Sequence, residues 1–349
     1  MSPSSGKIWY GLFVVVLMLL AGCEHGNSSP TAGEPSSPGA GQTAPGSSVA
    51  QIQFAEPSGP ALHVDGGRAM QYTREIVALG PRWPGSKGQE KVAAYLRGKL
   101  KNDNLAEDAF EADTPAGKLP MRNFVAKFPG AKDGIIVISS HIDTNYPLRN
   151  TNFIGANDGA CTTGLLLAIA DQLRGKKLDG YSVWLAFLDG EEAVEKWSAS
   201  DSVYGSRHLA SVWQQDGTLA RIKGFLVADM IGDADLNIQR DANSTPWLED
   251  MVYQAAKRLG YQSHFFQREE GIEDDHLPFA RLGVPVADII DLDYGYNNVY
   301  HHTTQDTLDK LSTKSLQISG DVILETIRLL NTNADKLPKA APPSSKVPS

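Results

Sequence analysis

The sequence predicts an α/β fold: a three-layer sandwich with a mixed, mainly parallel central sheet and helices on both faces. Three observations carry that expectation. Short runs dominated by β-branched and apolar residues alternate with longer stretches of helical periodicity, the runs lack a strict polar alternation, and polar residues gather directly after them.

The runs are Ile135 to Ser139, Ser182 to Leu188, Phe225 to Val227 and Val284 to Ile290. Continuous apolar character suits strands buried on both faces. Between and around them, apolar residues recur at helical spacing in Gly88 to Leu100, Ala160 to Leu173, Gly205 to Trp213, Pro246 to Leu259 and Lys314 to Leu330. Such alternation implies a mainly parallel sheet covered on both sides, whose ligands bind beyond the carboxyl ends of the strands.

The ends of the chain read differently. Lys7 precedes an apolar stretch, Trp9 to Leu20, as long as a signal-peptide core and short for a bilayer span, so residues 1–22 are expected to be a signal peptide. The stretch closes with Leu20-Ala21-Gly22-Cys23, which resembles the lipobox of bacterial lipoproteins. That resemblance implies export and a lipid on Cys23 that holds the protein on the extracytoplasmic side of a membrane. Residues 23–60 are rich in Gly, Ser, Pro and Ala and bury too little apolar surface to offset the entropy of ordering, so a flexible tether is expected; residues 336–349 read as a disordered tail. Residues 61–335, about 275 in number, suffice for a single catalytic domain.

Of the two cysteines, Cys161 lies in a small and apolar run and reads as a buried packing residue, so no disulfide framework is expected. A net charge of −9 without a basic cluster argues against nucleic acid as a partner. Peptides or small molecules fit better, and nothing in the sequence requires an obligate protein partner.

The polar residues after the runs are Ser140-His141-Ile142-Asp143, Asp189-Gly190-Glu191-Glu192 and Ala228-Asp229. Asn157-Asp158-Gly159 leads into a helix, Glu273-Asp274-Asp275-His276 precedes the last run, and Tyr300-His301-His302-Thr303-Thr304-Gln305-Asp306 precedes the final helix. Singly, each reads as a cap or turn. A parallel sheet, however, would gather His141, Asp158, Glu191, Glu192, Asp229 and His302 along one edge. Two carboxylates about 4 Å apart repel by about 4 kcal/mol at an effective dielectric of about 20, so the group must take up protons or bind a cation. Carboxylate with imidazole suits zinc, whereas magnesium or calcium favours an all-oxygen shell. Adjacent glutamates allow one to bind metal while its neighbour shuttles protons. A serine-hydrolase elbow is absent, since Ser206 in Gly205-Ser206-Arg207 lacks the preceding strand.

These residues resemble the zinc aminopeptidase family whose members include the glutaminyl cyclases of animals and bacteria. The general pattern stands in Gly80-Pro81-Arg82-Trp83-Pro84-Gly85-Ser86, His141-Ile142-Asp143, Asn157-Asp158-Gly159, Glu191-Glu192 and His302-Thr303-Thr304-Gln305-Asp306-Thr307. The stretches from Asp189 through Trp197 to Leu209, and from Asp274 to Val286, look specifically like the cyclase branch. The resemblance implies a zinc-exopeptidase-like fold, zinc on Asp158, Glu192 and His302, Glu191 as the acid–base residue, and Asp229 and Asp274 in a hydrogen-bonded acid network. It also implies cyclisation of an N-terminal glutamine to pyroglutamate with loss of ammonia, Trp197 being a candidate pocket wall. Animal cyclases carry a tryptophan just before the zinc histidine, where this chain has Tyr300-His301. His302 is taken as the ligand because the following Thr-Thr-Gln-Asp-Thr matches the family spacing from it, and His301 as a substrate-pocket residue.

Two alternatives remain open at this stage. One is a two-zinc aminopeptidase, with His141, Asp158 and Asp229 on one ion and Asp158, Glu192 and His302 on the other. The second is a peptide-binding lipoprotein without catalysis, a role that leaves so many buried carboxylates unexplained.

Overall fold

A computed structural model describes residues 53–338. The expected signal peptide, Cys23 and most of the tether lie outside the described residues, as does the tail beyond residue 338.

Six strands form the main sheet in the order β1-β2-β4-β3-β5-β8: β1 (Ala106–Thr114), β2 (Gly117–Phe128), β3 (Gly130–His141), β4 (Leu178–Leu188), β5 (Ile222–Asp229) and β8 (Val286–Ile290). The pairs β4–β3, β3–β5 and β5–β8 are parallel, while β1–β2 and β2–β4 are antiparallel. A separate parallel pair joins β6 (Ile238–Asp241) and β7 (Phe265–Glu270).

Inside β3, successive residues split between two cores. Ile136 and Ile138 pack with α1 (Gly66–Val77), α2 (Lys87–Leu100), α3 (Thr162–Leu173), α5 (Pro246–Leu259) and α7 (Thr313–Thr332), whereas Ile135 and Val137 pack with α4 (Tyr204–Gln215) and α6 (Leu277–Arg281). This is the three-layer sandwich expected, and it explains why the central runs are apolar at nearly every position.

The hairpin β1–β2 and helix α1 went unread in the sequence. The outer strand, Ala-Glu-Asp-Ala-Phe-Glu-Ala-Asp-Thr, carries acids on its solvent face, as an edge strand does to discourage pairing with other chains. Helix α1 opens with Gly66-Gly67, a poor helical start by propensity. Gly66 is required there because a Cβ would lie 2.2 Å from the Thr313 carbonyl oxygen, and the Asp65 carboxylate, accepting from Arg68 N–H, caps the helix. The last run starts as a strand at Val286 rather than Val284, and the expected helix from Ala160 begins at Thr162 after a wide turn over Ala156–Cys161.

The tether boundary at residue 60 is also corrected. Phe54 is buried against Trp247, Ala55 exchanges hydrogen bonds with the Asn333 side chain, and Glu56 pairs with Arg258. One aromatic anchor and a reciprocal backbone pairing hold this polar segment on the fold.

Candidate active site

Parallel pairing puts the carboxyl ends of β3, β4 and β5 on one edge, with His141 closing β3, Glu191 and Glu192 following β4, and Asp229 closing β5. Asp158 enters from the turn between β3 and α3, Asp274 from the segment before α6, and His301 and His302 from the segment before α7. The wide turn holds Asp158 outside helical geometry (φ −79°, ψ 92°) and passes through Gly159 at φ 89°. A Cβ on Gly159 would stand 2.9 Å from the Asp143 carbonyl oxygen and 3.0 Å from the His141 ring, so only glycine brings the turn this close.

Around this edge, a set of buried groups fixes the backbone. Asp143 accepts the amide N–H groups of Glu191 and Glu192 at 3.2 and 3.3 Å, and Asp306 accepts those of Asn157 and Asp158 at 2.8 and 3.2 Å. The fully buried Arg82 donates to the carbonyls of Ile142, Ile154 and Gly155, and Asn145 donates to Glu192 at 2.8 Å. None of these was assigned a role from the sequence. Asp143 and Arg82 sit inside stretches that signalled the family, whereas nothing local to Asn145 marked it.

The site residues named from the sequence are brought together. His302 Nε2 lies 3.1 Å from Glu192 Oε1 and 3.4 Å from Asp158 Oδ2. His141 Nε2 lies 3.1 Å from the other Asp158 oxygen and 3.2 Å from Asp229 Oδ1. Asp158 thus faces both histidines. Both His141 nitrogens, Asp158 Oδ2, Glu192 Oε1 and Asp229 Oδ1 are buried without a hydrogen-bond partner. Ligands about 2 Å from a tetrahedral ion lie about 3.3 Å from one another, so these unsatisfied atoms fit a divalent cation. His301 also offers a ring nitrogen near Asp158 and His302, but its Nδ1 is 3.1 Å from the Asn298 amide and its ring packs 3.9 Å from that of His302. Facing two carboxylates at once, His302 is the better ligand. Its backbone stands at φ 51°, a left-handed conformation that costs a non-glycine residue about 1 kcal/mol or more and marks functional positions.

Electrostatics show the same demand for positive charge. Burial disfavours a charged His302, yet Glu192 and Asp158 raise its pKa to about 11. At His141 burial is likewise outweighed, by Asp229, Asp143 and Asp158, and the pKa stands well above the ordinary value. Burial, then Asp158, lifts Glu192 to about 7; burial, then Asp229, lifts Asp274 to about 6. Glu191 is pushed well up by burial, with His141 opposing and Glu192, Asp274 and Asp275 adding to the rise.

A cavity of about 390 Å³ opens on these groups. Asp158, Glu191, Glu192, Asp229 and His302 line it together with His301 and Asp274, and its apolar side is formed by Trp197, Met230, Ile272, Ile290 and Leu292. Trp197 donates its indole N–H to Glu273 at 3.0 Å, in keeping with a pocket wall. A second cavity, about 350 Å³ between α2 and β2, reaches Asp189 but none of the site carboxylates, so its chemistry is separate.

The sequence pattern of peptidase family M28 matches residues 123–327. Glutaminyl-peptide cyclotransferase of Drosophila melanogaster is 31% identical over 61% of this chain and 67% of its own length. The chain spans 62–67% of the length of this and two other curated animal relatives. Among solved structures, glutaminyl cyclase from an Acidobacteriales bacterium is 53% identical with a TM-score of 0.77, covering 80% of this chain and 99% of that one. A leucine aminopeptidase precursor from Bacteroides thetaiotaomicron is 25% identical with a TM-score of 0.69, covering 77% of this chain and 98% of that one.

Proposed function

Because the chain belongs to peptidase family M28, we propose that it is a zinc-dependent glutaminyl-peptide cyclotransferase, an acyltransferase that converts the N-terminal glutamine of peptides to pyroglutamate and releases ammonia. The observation that carries this reading is the match to the Acidobacteriales glutaminyl cyclase over nearly all of that chain.

In this reading Asp158, Glu192 and His302 hold one zinc ion. A zinc ion held there would supply Lewis-acid polarisation of the γ-carboxamide carbonyl. Glu191 takes the proton that the attacking α-amine gives up and delivers it to the departing amide nitrogen. A carboxyl raised by burial is suited to both transfers. Asp229 and Asp274, next to Glu191 in the cavity, complete the acid network. The nucleophile belongs to the substrate, so the pocket has only to fold the glutamine side chain back and keep water out; Trp197 and the apolar side of the cavity serve both ends.

A second reading is a two-zinc aminopeptidase. Its support is the set His141, Asp158 and Asp229, whose atoms are spaced like those of the first set. Two peptides that differ only in an N-terminal Gln or Leu separate the two readings. A mass loss equal to ammonia from the Gln peptide alone is expected; release of free leucine would overturn cyclisation in favour of hydrolysis.

The lipobox-like Leu20-Ala21-Gly22-Cys23 supports export and a lipid anchor on Cys23, with exported or extracellular peptides as substrates. Fatty-acid labelling of cells is expected to mark the wild type and to fail with Cys23→Ala; equal labelling would refute the anchor.

A further inference from the structure

The deep part of the cavity holds buried carboxylates, Asp158, Glu192 and Asp229 being at most 7% exposed, while Glu273 on the same lining is exposed, so Glu273 marks the mouth. Among the described residues Glu273 has one side-chain partner, the Trp197 indole N–H on Oε2, which leaves Oε1 free. No Lys or Arg lines the cavity. Arg281 lines a smaller neighbouring cleft with Glu273. The chain as a whole carries a net charge of −9, which favours the approach of cationic molecules.

A peptide whose first side chain reaches Glu192 and His302 has this exposed edge of the lining as a way out of the cavity. We infer that Glu273 selects peptides with a basic residue immediately after the N-terminal glutamine, its free carboxylate oxygen accepting from the lysine ammonium or arginine guanidinium while its other oxygen keeps Trp197 in place. The inference rests on the cyclase reading and names the class of substrate that site prefers. An acidic residue at the same position meets Glu273 as a like charge.

The test is the initial rate of ammonia release by the purified, zinc-loaded full chain from three otherwise identical peptides beginning Gln-Lys, Gln-Ala and Gln-Glu. The expected order of kcat/KM is Gln-Lys, then Gln-Ala, then Gln-Glu. The ends should differ about fivefold, mainly in KM, and by less at high salt, as for a solvent-exposed ion pair. Glu273→Gln keeps an oxygen for the Trp197 N–H and is expected to bring the ratio to about one; Glu273→Lys is expected to invert it. Equal kcat/KM in the wild type, or an order that survives Glu273→Gln, overturns the inference while turnover of the Gln-Ala peptide still supports cyclisation. No ammonia from any of the three overturns the cyclase reading, and the inference with it.

Discussion

Two buried clusters of aspartate and histidine lie among the described residues, and they differ in which nitrogen faces which oxygen. At the strand-end site, His141 and His302 each turn Nε2 toward two carboxylates at once, beside an open cavity. In the second cluster His276, fully buried, turns Nε2 toward Asp241 at 3.1 Å and Nδ1 toward Asp288 at 3.5 Å. Opposite edges of one ring cannot ligate one ion. At His141 and at His302 a single nitrogen faces two carboxylates, whereas each His276 nitrogen faces one, and the ring joins β6 and β8 at the start of α6. Both clusters bring ligand atoms within 4.8 Å of one another; what separates them is how many carboxylates share one ring nitrogen.

The largest effect that sharpens this contrast is loss of the metal. Asp158→Ala and His302→Ala are expected to remove zinc and with it all turnover, with His301→Ala retaining zinc; metal analysis of the folded proteins decides it, and zinc loss from His301→Ala alone would reverse the assignment. Next, Glu191→Gln should leave zinc bound and lower kcat by about 10²–10⁴-fold, since it removes a proton carrier and no ligand. Near-normal turnover would end that assignment.

In the second cluster the expected loss is of stability. His276→Ala leaves Asp241 and Asp288 facing each other in the interior, so denaturant unfolding should show a loss of about 3 kcal/mol or more at unchanged zinc content. A drop in zinc with unchanged stability would erase the distinction between the clusters. The smallest effect concerns Glu249, which accepts the Asp241 amide N–H at 2.7 Å and whose pKa burial raises from 4.5 to about 7. Its folded pKa lies above the unfolded one, so the folded chain holds the extra proton between those values, and stability falls as pH rises through that window. Unfolding of Glu249→Gln across the same range should show a shallower slope, and an unchanged slope would assign the effect to another group.

The parts of the fold that could be read in advance are those whose sequence signal and burial agree. Helix α5, with Pro246 at its first turn and Gly260 at φ 76° after its end, was read to the residue, and the apolar cores of β3, β4 and β5 were located while their polar ends were not. Strand β1 escaped because Ala112 is its one buried residue, so burial leaves too weak a pattern. At the site, His141, Asp158, Glu191, Glu192 and Asp229 could be picked out because strand ends and helix starts collect them. Arg82 and Asp306 act through main-chain groups far along the chain, Asp306 on amides 148 and 149 residues away, and Asn145 through the distant Glu192 carboxylate; no local pattern encodes such a pairing. The Asp241–His276–Asp288 cluster escaped for the same reason.

The pairing of Ala55 with Asn333 gives the molecule a polarity. Neighbouring Asn331 accepts from the Tyr181 amide near the start of β4 and receives Lys132 from the start of β3, so the first described residues are fastened at the amino edge of the parallel strands. His141 and the catalytic groups stand at the other edge, a strand's length of about 35 Å away. The mouth of the cavity therefore lies on the side of the fold opposite the first described residues.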